Sequence, residues 1–336
     1  MAVMVATPLR PRSSPYAGCT LATRLTITVV VPARNRAAPL SETLRALVEL
    51  DYPDLRIIVV DGSDDEATRQ AVRRLAEHHT NLSLTSINAA GSSTARDLGA
   101  ALSHGDIVAY ADDDCIVSPH WLHAIAVEFA DPTVAAVFGR LLPHPDRPSR
   151  HAERAPDLKA ALHRQRYSRK TPPWRIGHAG NMAVRRDDLL AIGGFDPLLG
   201  AGSVFGSGEG ADIAYRLLSA GRTVAYSPAA LAYHHQWRSW PEQRRLERIR
   251  GIGAGAQFGK YLRRGDPYGV ALLAAWVWRH GLRRVGDGAL RRRDPRTVYL
   301  GLCQLVYPWI GLWRSLRYPI DKHTGAYRDT TTVYKA

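Results

Sequence analysis

From Leu25 onward the chain alternates short apolar, β-branched runs with amphipathic segments, and this alternation constrains the fold more than any other feature. "LTITVVVPA" (residues 25–33) is apolar throughout, as a strand covered on both faces of a parallel sheet has to be. A helix is expected around residues 41–50, with Leu40, Leu44 and Leu47 on one face. "LRIIVVDGS" (55–63) reads as a second strand. "DDEATRQAVRRLAEHH" begins acidic and ends basic, which suits a helix dipole. "LSLTSI" (82–87) gives a third strand, "SSTARDLGAALSH" a helix capped by Ser or Thr, and "DIVAYAD" (106–112) a fourth strand. The order predicts an α/β fold, a mainly parallel sheet with helices on both faces and right-handed crossovers.

In such sheets ligands bind beyond the carboxyl ends of the strands, and polar clusters fall there: "PARN", "DGSDD" and "DDD". The last, Asp112, Asp113 and Asp114, sets three like charges side by side between apolar runs, where they repel. One reading is a solvated acidic loop. The other is a hard divalent cation held between carboxylates and holding a phosphate oxygen in turn. Mg²⁺ or Mn²⁺ suits that set better than zinc, since no Cys- or His-rich group lies nearby. Asp61 is placed to accept hydrogen bonds from a nucleobase or ribose. Arg34 offers a fixed cation and Asn35 an amide. Arg96, one unit before the aspartates, is placed to face a diphosphate. Arg34 and Arg96 read equally well as surface charges. A formal net charge of +14 favours anionic partners. The three cysteines are far apart without a C-x-x-C, which points to a reducing, cytoplasmic setting.

The second half is less regular. Residues 143–173 read as a long loop with a short helix, and "EGADIAYRLLSAG" (209–221) as a helix closed by Gly221. "RTVAYSPAALAYHH" reads as one strand or two, broken at Pro228. "PEQRRLERIRGIGAGAQFGKYLRR" is a basic helical stretch. Its "GIGAGA" fits G-x-G-x-x-A but follows a helix rather than a strand, so the dinucleotide context fails. "GVALLAAWVWRHGLRR" and "TVYLGLCQLVYPWIGLWRSLRYP" are Trp-rich and bordered by Arg. Such helices either lie in a membrane interface or pack over the preceding domain or a second copy. No uninterrupted apolar run reaches spanning length, and the first 24 residues read as a disordered leader. No nucleic-acid module is recognised, so nucleic acid is not an expected partner.

Several motifs occur together: "VVVPARN", "IIVVDGSDD", "GSSTARDLGAALSHGDIVAYADDDC", "GHAGNMAVRR", "LLAIGGFD", "GSGEGADIAYRLLSAG" and "SPAALAYHH". On these the chain resembles the family 2 glycosyltransferases, which have the GT-A fold, over roughly residues 25–235. The chain is expected to divide into a disordered leader (1–24), the GT-A domain that the resemblance implies (25–235) and a basic, aromatic helical extension (236–336). The resemblance implies inverting, metal-dependent sugar transfer from a nucleoside diphosphate donor, with a UDP-sugar expected. The acceptor hydroxyl would sit on a glycan or a lipid-linked molecule, and the Trp-rich, Arg-bordered tail adds the expectation of a cytoplasmic enzyme lying peripherally on an anionic membrane surface. Asp112 and Asp114 would hold the metal, with His234 or His235 beside the diphosphate and able, as a neutral imidazole, to ligate the metal as well. Pro32, Ala33, Arg34, Asn35, Asp61, Arg96, Asp112, Asp113 and Asn181 would contact the nucleotide sugar.

Two positions depart from the family pattern. The second-strand motif is "VDGS" where "DDGS" is usual, so Asp61 matches either aspartate. The later helix opens "EGAD", with Gly210 where the family usually has the aspartate taken as catalytic base. Glu209 and Asp212 remain, three apart on one helix face with Arg216. Glu209 is the expected base, being adjacent to the vacant position and longer. The plainer reading is that both simply favour a helix N-terminus. The missing aspartate supports an alternative function, a non-catalytic nucleotide-sugar-binding protein.

Overall fold

A computed structural model describes residues 25–88, 91–144, 159–235 and 239–329. The expected leader, and half of the loop expected over 143–173, lie outside the described residues. The first half runs β1 (Ile27–Ala33), α1 (Ala37–Val48), β2 (Arg56–Asp61), α2 (Ala67–Ala76), β3 (Leu82–Ser86), α3 (Ser92–Leu102) and β4 (Ile107–Ala111). Then come β5 (Cys115–Val117), α4 (Trp121–Glu128), β6 (Val134–Pro143), β7 (Gln165–Tyr167), β8 (Asn181–Arg185), α5 (Arg186–Ala191), α6 (Glu209–Ser219) and β9 (Thr223–His234). The sheet order is β3-β2-β1-β4-β8-β6-β9-β5, with β7 beside β9.

The continuous apolar runs are explained by burial on both faces. Ile27, Val29 and Val31 join Ile57, Val59, Ile107 and Ala109 in one core with α1, α2 and α4. The intervening Val30, Ile58, Val60, Val108 and Tyr110 join the opposite core with α3, α5 and α6. Successive strand residues thus feed opposite layers. Leu40, Leu44 and Leu47 of α1 are fully buried, and each such side chain stabilises by about 1.5–3 kcal/mol.

Three details differ from the sequence reading. The first four strands are parallel, but β8 runs antiparallel to β4 and β6, so the whole sheet is mixed. Helix α3 is capped not by Ser or Thr but by Gly91, whose φ of 122° suits only glycine. Pro228 does not end a strand. It sits in a bulge of one long strand, where the β6–β9 register jumps from Gly139↔Ser227 to Arg140↔Leu231.

Beyond residue 239 the chain is helical: α7 (Trp240–Arg263), α8 (Tyr268–Trp276), α9 (Arg283–Gly286) and α10 (Pro295–Ser315). Two π-helical turns, Val277–Leu282 and Asp287–Arg291, follow α8 and α9. Helix α7 opens with a reciprocal Ser239–Glu242 capping box. "GIGAGA" is a packing surface: a Cβ on Gly255 would lie 1.8 Å from the Pro308 carbonyl oxygen of α10. Among the described residues no helix is long and apolar enough to cross a membrane.

Candidate active site

The aspartates form a tight connection. Strand β4 stops at Ala111, Cys115 N–H closes the turn by donating to Asp112 O (3.1 Å), and β5 begins at Cys115. Strand β9 runs antiparallel to β5 with His234 opposite Cys115, which carries an imidazole from more than a hundred residues away to the aspartates. Candidate ligand atoms of Asp112, Asp114, Cys115 and His234 all lie within 4.8 Å of one another.

Two guanidiniums hold the carboxylates apart. Arg36 donates through Nη1 to Asp113 Oδ1 (2.8 Å) and through Nη2 to Asp114 Oδ2 (2.8 Å). Arg96 Nη2 donates to Asp112 Oδ1 (2.7 Å), and its Nη1 reaches Glu209 Oε1 at 3.4 Å. His234 Nε2 lies 3.3 Å from Asp114 Oδ1, and His178 Nδ1 lies 3.8 Å from Asp112 Oδ2. Burial, reinforced by Asp114 and resisted by Arg36, pushes the Asp113 carboxyl up to about 8.

Two carboxylates and an imidazole make an oxygen-rich donor set that suits Mn²⁺ or Mg²⁺. Cys115 adds little to such a set. Burial and the neighbouring aspartates raise its thiol well above the ordinary value, so it stays protonated, and it is the thiolate that ligates metal.

These groups line a cavity of about 620 Å³ beyond the carboxyl ends of β1 and β4. Among the residues of the sheet domain that line it are Pro32, Ala33, Arg34, Gly62, Glu209 and Gly210. Its far wall comes from the helical extension, through Leu246, Arg250, Gln257, Trp276, Arg279 and His280. Trp174 joins the two parts, packing edge-on against both Phe258 and Trp276.

The remaining sequence candidates are placed differently. His235 turns away from the cluster, with Nε2 3.5 Å from Glu42, because successive residues at the end of β9 face opposite sides. Asn181 is 1% exposed. Its Oδ1 accepts from Trp121 Nε1, and its Nδ2 donates to the Arg140 and Ala230 carbonyls, so it ties strands together and does not line the cavity. Asp61 is fully buried and accepts from Ser63 and Arg69, leaving Gly62 at the cavity wall. Asn35, at φ 54°, exchanges hydrogen bonds with Asp64 and joins the loops after β1 and β2.

The two carboxylates of α6 part company. Glu209, at the start of the helix, faces the cavity with its side chain 14% exposed. Asp212 is fully buried, accepting from Arg216 Nε (2.8 Å) and lying 2.7 Å from Lys260 Nζ. Gly210 has a packing reason. A Cβ there would come within 2.9 Å of the Ala179 Cβ and 3.0 Å of its backbone nitrogen, so the N-terminus of α6 presses on the "GHAGN" loop where a side chain would stand. Sequence reasoning missed Arg36, His178 and the whole far wall. Arg36 directly follows "PARN" and His178 lies within a quoted motif, but nothing local marks Arg250 or Trp276.

The family model described as glycosyl transferase family 2 matches residues 28–193. A pre-mycofactocin glycosyltransferase of Mycobacterium tuberculosis is 31% identical over 227 residues, covering 64% of this chain and 44% of the relative. The succinoglycan biosynthesis protein ExoM of Rhizobium meliloti is 30% identical, covering 58% of this chain and 62% of the relative. The chain thus spans less than two thirds of the length of either relative. The mannosyltransferase PcManGT from Pyrobaculum calidifontis, solved with GDP-Man and Mn²⁺, superposes with a TM-score of 0.59 at 24% identity over 87% of both chains. That likeness concerns the fold, which is of the GT-A type. Residues 28–193 therefore carry the pattern of glycosyl transferase family 2, and the relative from Mycobacterium tuberculosis is a glycosyltransferase by name.

Proposed function

We propose that the chain is an inverting, metal-dependent glycosyltransferase that moves a sugar from a nucleoside diphosphate, with UDP-sugars the first donors to test, to an acceptor hydroxyl. The observation that carries this is Arg96, which joins Asp112 of the metal-ligand cluster to Glu209 in one cavity. Asp112, Asp114 and His234 would hold Mn²⁺ or Mg²⁺, which supplies charge neutralisation at the leaving diphosphate. Arg36 keeps Asp113 and Asp114 oriented. Pro32, Ala33 and Arg34 line the part of the cavity proposed for the nucleotide. Glu209 takes the proton from the acceptor hydroxyl, whose oxygen attacks the anomeric carbon from the face opposite the leaving group. Arg96 holds the Glu209 carboxylate toward the cavity. Residues 25–235 form the catalytic domain, and the helical extension completes its cavity. The acceptor is a glycan or a lipid-linked molecule, and the protein works peripherally on the cytoplasmic face of a membrane.

The test is transfer or donor hydrolysis with Mn²⁺ and with EDTA, for the wild type and Glu209→Gln, alongside calorimetry with UDP. Removing a general base should lower turnover by roughly 10²–10⁴ while leaving Mn²⁺-dependent UDP binding intact. Donor binding without turnover across a panel of acceptors would overturn the reading.

A further inference from the structure

Helix α10 has two faces of different kinds. One buries Leu300, Cys303, Gln304, Pro308 and Gly311. The other exposes Leu302, Val306, Trp309, Trp313 and Leu316, spaced four, three, four and three residues apart, which is one continuous helical stripe. Trp309 and Trp313 are 53% and 57% exposed. The π-helical turn after α8 adds Trp278 and Leu282, also exposed. An apolar surface of this extent marks an interaction site.

Charge decides what meets it. Helix α10 contains no Asp or Glu. Arg314 and Arg317 are exposed along it, and the Arg317 guanidinium lies 4.5 Å from the Trp313 ring centroid. Arg279, Arg283, Arg291, Arg292, Arg293 and Arg296 are exposed on the neighbouring turns. A second copy docking through the same patch would set cation against cation. An anionic lipid surface offers apolar depth for the indoles and opposite charge for the arginines.

We propose that the Trp309–Trp313 face of α10, with Trp278 and Leu282, docks this protein on an anionic membrane. The segment behind it connects the docked face to the cavity. Trp276, Arg279 and His280 line the cavity, while Trp278 and Leu282 face solvent from the same run of chain. Docking therefore brings the far wall of the cavity to the lipid surface, which suits an acceptor carried on a lipid. That last step rests on the glycosyltransferase reading; the docking itself does not.

The experiment is flotation of the full 336-residue chain with vesicles of phosphatidylcholine, with and without about a third phosphatidylglycerol. The wild type should float with the anionic vesicles, remain in solution with the neutral ones, and be released by salt. The double variant Trp309→Ser/Trp313→Ser should bind about tenfold more weakly or worse. Its melting temperature and Mn²⁺-dependent UDP binding should match the wild type, since both side chains are exposed and outside the cavity. A wild type that stays in solution with anionic vesicles, or a double variant that floats as well as the wild type, overturns the proposal. So does a wild-type dimer in sedimentation that the double variant dissolves while neither protein binds vesicles. Loss of UDP binding in the wild type would sink the glycosyltransferase reading and leave the docking result standing.

Discussion

Lys260 Nζ, on α7 of the helical extension, lies 2.7 Å from Asp212 Oδ1 on α6, and both side chains are fully buried. The same ammonium lies 2.5 Å from Asp196 Oδ2, also fully buried. Asp196 accepts a further bond from Tyr327 N–H, near the end of the described chain. The extension is therefore bound into the interior of the domain that carries the aspartates. Opposing charges at close range keep Asp212 ionised despite its burial, and Lys260 and Arg216 together hold its carboxyl below the ordinary value.

Breaking this cluster leaves uncompensated charge inside the protein. Lys260→Met should cost about 3–5 kcal/mol, read as a lower urea midpoint. Asp212→Asn should likewise lower the midpoint. Glu209→Gln, at a partly exposed position, should leave it nearly unchanged while turnover falls. A chain truncated before α7 should fail to fold, because Asp196 would lose the ammonium of Lys260 and Asp212 would keep only Arg216 of its two cations.

Gly210 tests whether the family's usual aspartate can simply be restored. Gly210→Asp places a Cβ 2.9 Å from the Ala179 Cβ and adds a carboxylate beside Glu209. Overpacking of this kind costs about 1–3 kcal/mol. The variant should melt lower and show no gain in transfer rate. A variant of wild-type stability with faster turnover would show that the vacant position is open after all.

Asp97 gives a pH signature away from the metal cluster. Its two oxygens accept from Phe195 N–H at 2.9 and 3.1 Å, and burial pushes its carboxyl up to about 7. Arg216 and Arg96 oppose that rise, and Asp196 adds to it. In the unfolded chain the carboxyl returns to about 3.9. The folded state therefore holds its proton longer, and this contribution to stability is whole below about pH 4 and lost as pH rises through 7. The slope is at most about 1.4 kcal/mol per pH unit. Asp97→Asn, whose amide oxygen can still accept from Phe195, should flatten the melting temperature between about pH 4 and 7. An unchanged slope would mean that other groups carry it.

The strands and the aspartate turn were readable because their signals are local. Val29, Val30 and Val31 announce a doubly covered strand by themselves, and three adjacent aspartates need no partner to be noticed. What was not readable depends on distant contacts. "QFGKYLRR" reads as one more basic helix, and only the fold shows that Lys260 is buried against residues 64 and 48 positions earlier. The sequence does not distinguish His234 from His235 at the metal, because the pairing of β9 with β5 decides which one faces the aspartates. Asn181 reads as a ligand contact in the sequence because an amide in a motif does not reveal that its bonds are made within the fold. The far wall is assembled from α7 and α8, whose pattern says only that they are helical.

The metal assignment makes the sharpest prediction. Asp114 lies between two partners, receiving Arg36 Nη2 on one oxygen and lying 3.3 Å from His234 Nε2 on the other. Asp114→Asn preserves shape and the backbone carbonyl that accepts from His235 N–H, so the fold should persist. It removes one negative charge from the ligand set, and losing a direct ligand should cost more than the tenfold to hundredfold typical of an outer-shell partner, so Mn²⁺ affinity should fall by more than about 100-fold. His234→Ala should weaken Mn²⁺ as well, whereas His235→Ala should not, because His235 faces Glu42. Titration of Mn²⁺ by electron paramagnetic resonance in the presence of UDP reads all three variants, with thermal melting as the check on folding. Equal Mn²⁺ affinity in folded Asp114→Asn and wild type would remove the cluster from the mechanism. A loss in His235→Ala matching that in His234→Ala would show that the end of β9 turns differently from the way the pairing with Cys115 sets it.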